Sequence, residues 1–345
     1  MTMNARTDLT FDQRACFIAG PDKSGTTLVC SLLEGHPNLA VFPEETNYMR
    51  TVLPRLGGKP RSEQLDYLLR KGPSRMLFLS PTESGNSYPG FPKGEYLQAF
   101  RQAALAPENR ERDLLAIMIE ELMKVRNLPL DQVVRWVEKT PDNAYCTRRI
   151  EERFPFAKVL VMMRDPRAKI AAHLELMRLS DRPFSIFNNI RNWLQTAALL
   201  RGDHRLPFNV HVIRFEDLLR EPEKEMRRVC SFLEIPWDPV LLKPTKVGEP
   251  WGGNSASLTN FQAIDTRPID RWRSVLGERE IAWVELHCAP DMKRFGYEPI
   301  TSGAFFRGWF RRLPEERIAS YFKSRWFSLR DLFWKRFSKA AENYP

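Results

Sequence analysis

The sequence predicts an α/β fold of the P-loop type, three layers deep, with a central, mostly parallel sheet flanked by helices. Three strand-turn-helix units predict it. The apolar run Ala15 to Ala19 (ACFIA) leads into the glycine-bearing turn GPDKSGTT and then LVCSLLEGHP, apolar at helical spacing. The run at 157–163 (AKVLVMM) leads into Arg-Asp-Pro-Arg and KIAAHLELMR, and VHVIRF at 210–215 leads into EDLLREPEKEMRRVCSFLEI.

Each element has its own reason. ACFIA and AKVLVMM are continuous apolar runs, as expected of parallel strands covered on both faces. In the third unit Pro222 and the early glutamates suit a helix start, and Leu, Met, Val and Phe recur at helical spacing behind them. Strands alternating with helices imply right-handed crossovers and a parallel sheet. Ligands of such sheets bind at the C-terminal ends of the strands. The interval from about Arg50 to Asn109 is rich in Pro, Gly and Ser (KGPSRMLFLSPTESGNSYPGFPKG), which predicts a loop-rich insertion or lid.

Composition bounds the classes. With 345 residues, 43% of them apolar, the chain can bury one sizeable core, so a single domain over residues 1–300 with appendages is the first expectation. Cys16, Cys30, Cys146, Cys230 and Cys288 are scattered and odd in number, which fits reduced thiols better than disulfides or zinc, and the five histidines are equally dispersed. No metal site is expected. MTMNARTDLTFDQRACFIAG has no apolar run long enough for a signal peptide, and no later segment reads as a spanning helix, so the expected location is the cytoplasm.

The net charge of +10 is unevenly placed: residues 301–345 hold ten Lys/Arg against four Asp/Glu, or +6. From Pro314 onward this segment reads as a helix in which Ile318, Phe322, Trp326, Leu329, Phe333 and Phe337 form one apolar stripe among basic residues. Such a tail suits an anionic membrane surface, met through residues 305–340 on the inner face, equally with docking on the body of the protein or a second subunit. A nucleic-acid reading module is not expected.

Gly20-Pro-Asp-Lys-Ser-Gly-Thr-Thr27 has the outline of a phosphate loop, G-x-x-x-x-G, in the strand-turn-helix setting that such a loop needs. Backbone N–H groups and the positive end of the helix dipole favour an anion there, and Lys23, Ser24, Thr26 and Thr27 add donors around Gly25. A nucleoside triphosphatase would want Lys directly after the second glycine, a position held here by Thr26. The cation has moved into the loop as Lys23.

These residues carry a family resemblance. P-x-K-S-G-T-T followed by L-x-x-x-L-x-x-H-P resembles the 5'-phosphosulfate loop of sulfotransferases that use 3'-phosphoadenosine 5'-phosphosulfate (PAPS), especially the bacterial and Golgi carbohydrate and tyrosylprotein branches. VLVMMRDPRAKIAAH resembles the family's 3'-phosphate segment, VIRFEDLLREPEKEMRRVCSFLEIPW its YEDL stretch, and RWRSVLGEREIAWVELHCAPDMKRFGY its closing pattern, so the likeness spans roughly residues 14–299.

The resemblance implies transfer of a sulfuryl group from PAPS to an acceptor hydroxyl by in-line displacement without a metal. The acceptor would be a carbohydrate, a lipid headgroup or a tyrosine. It implies Lys23, Ser24, Gly25, Thr26 and Thr27 at the 5'-phosphosulfate and Arg164 at the 3'-phosphate. The family serine eight residues after that arginine is Ala172 here, with Arg167, His173 or a loop donor as candidate replacements. Glu45 in PEETNYM matches the catalytic base, with Glu44 beside it as the competing assignment. Lys139 in EKTPDN matches the lysine near the leaving group. Trp251-Gly-Gly-Asn-Ser255 resembles a loop closing over the donor, with Ser255 toward the sulfuryl or the 5'-phosphate and Arg267 toward the 3'-phosphate. The competing readings are an ATP-dependent kinase that uses Asp165 with magnesium, and a non-catalytic nucleotide-binding body with a working tail. In the sulfotransferase reading Asp165 orients its turn.

Overall fold

The computed structural model describes residues 9–71, 91–201, 209–253 and 264–301. Residues 72–90 of the expected insertion, Ser255 and the basic tail from 302 onward lie outside the described residues. Five parallel strands form one sheet in the order β2-β3-β1-β4-β5: β1 Ala15–Ala19, β2 Leu39–Val41, β3 Arg135–Lys139, β4 Lys158–Met163 and β5 Asn209–Arg214. Helices cover both faces, as the alternation of strands and helices requires.

The two-residue period of a strand sorts the apolar runs to opposite faces. Phe17, Trp136, Val159 and Val161 join one core cluster with the Leu114–Val125 helix, while Cys16, Ile18, Val137, Leu160 and Met162 join another with the Thr26–Glu34 and Pro222–Leu233 helices. A third cluster packs the Pro166–Leu179, Ile186–Leu200 and Glu278–Arg294 helices together around Trp193. All five cysteines are buried as free thiols.

Two strands are not announced by the sequence pattern, one because it is short and the other because it is charged. β2 has only three residues, and β3 reads RWVEK, yet every residue of β3 is buried. The charges of β3 are satisfied at its two ends: Arg135 donates to Glu234 at 2.8 Å, and Lys139 donates to Glu45 at 2.8 Å. The described part of the 50–109 interval is largely helical. Its Lys93–Leu105 helix buries Tyr96, Phe100 and Ala104 in the core, because these positions recur at four-residue spacing behind a Pro/Gly-rich segment.

The turn after β1 is shaped by two glycines. Gly20 has φ +140°, and a Cβ there would collide with the backbone carbonyl of Met162 on neighbouring β4. Gly25 has φ +98°, and a Cβ there would lie 2.5 Å from the Phe215 ring. The loop thus presses against both β4 and the end of β5. Because the obstacle at Gly20 is main chain, Gly20→Ala is expected to destabilise the fold by about 2 kcal/mol or more. Urea unfolding of the variant checks this, and an unchanged midpoint would contradict the packing described.

Candidate active site

Four neighbouring strands each deliver residues to the C-terminal edge of the sheet. β2 leads to Glu45, β3 ends in Lys139, β1 feeds the phosphate loop, and β4 leads to Arg164. Adjacent strands lie about 4.8 Å apart, so this order alone gathers the groups along one edge. They surround a cavity of about 800 Å³ lined by Lys23, Gly25, Thr26, Thr27, Glu45 and Arg164, with Ala172, His173 and Arg267 farther along its wall.

The loop is held from three sides. Gly20 donates its N–H to the carbonyl of Pro141 at 3.2 Å, and Ser24 donates both its N–H and its hydroxyl to the carbonyl of Pro21. Arg164 donates Nη1 to the carbonyl of Lys23 at 2.9 Å and Nη2 to the carbonyl of Pro268 at 2.9 Å, with its guanidinium 4.2 Å from the centroid of the Phe215 ring. Ser24 is therefore a structural member of the turn. Its hydroxyl is spent on Pro21 and it does not line the cavity, in contrast to the donor role expected from the sequence.

Lys23 has a left-handed backbone at φ +63°. Burial pushes its ammonium below the usual lysine value, opposed by the charges of Asp22 and Glu45 and reinforced by those of Arg164 and Lys139. Among the described residues its ammonium has no ion-pair partner. A cation packed among other cations is a group that an anion would relieve.

Glu45 and Glu44 are separated cleanly. Glu45 lines the cavity and accepts from Lys139 Nζ at 2.8 Å, whereas Glu44 does not line it and accepts from Lys246 at 2.8 Å, on the short hairpin of β6 (Thr245–Lys246) and β7 (Glu249–Pro250). Lys139 is almost wholly buried, stands behind the cavity wall, and also donates to Thr27 Oγ1 at 3.3 Å. It joins the carboxylate to the phosphate loop.

Behind this pair sits a group the sequence reading did not single out. Glu138, with no solvent exposure, accepts from Thr46 Oγ1 at 2.8 Å, the Thr46 N–H at 3.3 Å, Thr140 Oγ1 at 2.6 Å and Asn143 Nδ2 at 2.7 Å. Burial pushes its carboxyl above the usual range, with these donors opposing. Thr46 follows Glu45 and Thr140 follows Lys139, so one buried carboxylate fixes both. The available signal was a glutamate inside the apolar strand context of Trp136 and Val137.

The other expected residues divide. Arg167 is excluded as a replacement for the missing serine: it lies 4.2 Å from the centroid of the Trp272 ring and is bonded to Asp165 and Glu285, away from the cavity. His173 lines the cavity beside Ala172. Arg267 stands on the rim, exposed, with its guanidinium paired to Asp265 at 2.8 Å. Asp165 caps the Pro166–Leu179 helix through the Arg167 N–H at 2.8 Å and is absent from the cavity lining, which removes the group a magnesium-dependent kinase reading relies on. Among the described residues no set of three or more His, Cys, Asp or Glu groups could hold a metal ion, and no helix is long and apolar enough to cross a membrane.

The sequence profile of the sulfotransferase family matches residues 16–239, well over half of the 345 in the chain. The chain belongs to the sulfotransferase family. The matched span contains the phosphate loop, Glu45, Lys139 and Arg164, while Arg267 falls beyond it. The sulfotransferase is 23% identical over 291 residues to protein-tyrosine sulfotransferase A of Caenorhabditis elegans, covering 82% of this chain and 67% of that one. It is 24% identical over 184 residues to carbohydrate sulfotransferase 3 of Mus musculus, covering 46% of this chain and 38% of that one. The solved sulfotransferase domain from the curacin biosynthetic pathway matches with a TM-score of 0.50 at 22% identity, covering 82% of this chain and 97% of that one, a likeness of fold. The enzyme transfers a sulfuryl group to a hydroxyl acceptor.

The lowered position of Lys23 gives a pH dependence to anion binding here. Its proton is lost at a lower pH than that of an exposed lysine, because burial disfavours the charged form. Affinity for adenosine 3',5'-bisphosphate should therefore already fall as pH rises toward 10.5 in the wild type, while in Lys23→Arg that fall should disappear. Titration calorimetry across this range checks it, and a flat wild-type profile would count against Lys23 as the anion's partner.

Proposed function

We propose that the sulfuryl donor is PAPS, bound with its 5'-phosphosulfate on the loop at 20–27 and its 3'-phosphate toward Arg164, and that Glu45 is the general base. The observation that carries this reading is the Glu45–Lys139 pair at 2.8 Å, joined through Thr27 to a phosphate loop in the wall of one cavity.

The residues present fit such a donor. Lys23 is a half-buried cation whose position an anion would relieve. The Nε of Arg164 is buried without a hydrogen-bond partner, a donor left over after both Nη atoms are used. Glycine at position 25 leaves the loop without a side chain where it faces the cavity, and the helix beginning at Thr26 brings the positive end of its dipole to the same place.

When bound, PAPS supplies the sulfuryl group and the phosphate from which it departs. The protein's own part is proton and charge management. Glu45 accepts the proton of the acceptor hydroxyl, a poor nucleophile until it loses that proton. Protonation of Glu45 removes the counter-ion of Lys139, so the ammonium's charge is released toward Thr27 and the loop while negative charge grows there. Lys23 holds that charge, while Arg164, with Arg267 on the rim, meets the 3'-phosphate. Ser255 keeps its proposed contact with the sulfuryl group from outside the described residues. The acceptors to test first are tyrosine peptides and oligosaccharides, the two classes named in the curated relatives.

Glu45→Gln keeps the size of the side chain and removes the base. It should lower transfer from radiolabelled PAPS to an accepted substrate by about 10² to 10⁴, with the affinity for adenosine 3',5'-bisphosphate left within a few-fold. Wild-type turnover in the variant would overturn the assignment of the base, and failure of the wild type to bind the bisphosphate would overturn that of the donor.

A further inference from the structure

The phosphate loop carries an anomaly: its third residue is Asp22, a carboxylate that lines the cavity within the loop that would hold the anion. A fixed negative charge in such a loop opposes the ligand the loop would hold. Behind it stands Lys169, on the Pro166–Leu179 helix, with no solvent exposure at all. Its Nζ lies 3.0 Å from Asp22 Oδ1 and 2.6 Å from Asn189 Oδ1.

The other oxygen of the same carboxylate is also engaged. His173 Nδ1 lies 3.1 Å from Asp22 Oδ2 and 2.6 Å from Asn189 Oδ1. Asn189 Nδ2 donates to the carbonyl of Ser185 at 2.8 Å, which identifies its Oδ1 as the acceptor. Both partners of His173 Nδ1 are therefore acceptors, so Nδ1 carries the proton. Asp22, Lys169, Asn189 and His173 close into a ring of four that ties the loop to two helices.

We propose that Lys169 is the internal counter-ion of the phosphate loop, a positioning residue that neutralises Asp22 from the buried side and leaves Lys23 to the bound anion. Lys23 is the competing cation for Asp22, since the two are adjacent and the charge of Asp22 acts on the Lys23 ammonium. With Lys169 present, the carboxylate has a partner that no ligand can displace, because that partner is buried. Without it, Asp22 faces the cavity as an uncompensated charge and draws Lys23 toward itself. Burial disfavours the charged form of Lys169 and the charge of Asp22 opposes that effect without cancelling it, so the ammonium leans on its partner. The proposal rests on the cavity being an anion site, and it deepens that reading without using the catalytic pair.

The test is a double-variant cycle on the full chain, read by calorimetric titration with adenosine 3',5'-bisphosphate and by thermal unfolding. Lys169→Met, an apolar replacement of similar length, should weaken bisphosphate binding by about tenfold or more and lower the melting temperature. Asp22→Asn combined with Lys169→Met should bring both quantities back toward wild type, because the two charges leave together. A merely structural lysine predicts that the double variant is no better than Lys169→Met. Wild-type affinity in Lys169→Met, or a double variant as impaired as the single one, would overturn the proposal. If Lys169→Met fails to fold, Lys169→Arg and the double variant carry the comparison. The coupling in melting temperature is read without ligand, so it separates failure of this inference from failure of the donor reading.

Discussion

The arrangement of the site depends on the carboxylate of Glu138. A fully buried carboxylate is tolerated only when its oxygens are satisfied, and the four donors that satisfy Glu138 come from the segment after β2 and the turn after β3. Those are the two segments that carry Glu45 and Lys139. Asn143 donates to Glu138 and also to the carbonyl of Ile18 in β1, so the clasp reaches the strand that feeds the phosphate loop. Glu45, its cationic partner Lys139 and the loop are thereby held by a group that does not itself line the cavity. A half-satisfied network of this kind would be worse than an apolar core, which is why the threonines and the asparagine belong to the site as much as the charges do.

Charges near the cavity fall into two sets. Asp165, Arg167 and Glu285 form a buried chain away from the cavity, and Lys169 is likewise committed to Asp22 and Asn189. Such groups brace elements against one another and cannot respond to a ligand without breaking buried ion pairs, at a cost of several kcal/mol. The second set keeps capacity in reserve. Lys23 has no ion pair among the described residues, and Arg164 spends two donors on backbone carbonyls while its Nε remains unmatched. Separating the two sets makes the electrostatics preorganised: the bracing charges are fixed during folding, and the reserve charges need little rearrangement when an anion enters.

Legibility in the sequence followed the physics of burial. β1 and β4 were readable because both faces are covered, so every position but Lys158 is apolar, and the glycines of the loop were readable because two backbone angles there exclude side chains. β3 was not readable as a strand, since a run with charge at positions 135, 138 and 139 becomes a buried element only once Glu234, Thr46 and Glu45 are known to lie opposite. The same limit applied to Lys169. At helical spacing it looks like one more solvated lysine, and only the approach of the phosphate loop reveals that it is enclosed. The choice between Glu44 and Glu45 likewise required Lys246, which lies 202 residues along the chain from Glu44. Ser24 shows a related limit: hydroxyl chemistry suggested a ligand donor, and only the geometry of the turn reveals that the hydroxyl donates to Pro21.

The strained backbone of the loop belongs to the same economy. Lys23 adopts a left-handed conformation that costs a non-glycine residue about 1 kcal/mol. The bond from Arg164 to its carbonyl is charge-assisted and offsets that cost, and the Phe215 ring supports both Arg164 and the close approach of Gly25. The conformation that sets Lys23 in the cavity wall therefore exists because β4 and β5 end where they do. Arg164 braces the loop through its Nη atoms, and in the proposed reading what remains of its fork is offered to an anion. A guanidinium can do this and an ammonium cannot, because its donors are fixed in a plane and can be divided between partners. Strand order, loop strain and anion affinity are consequently one problem, solved at the edge of the sheet where β1 lies between β3 and β4.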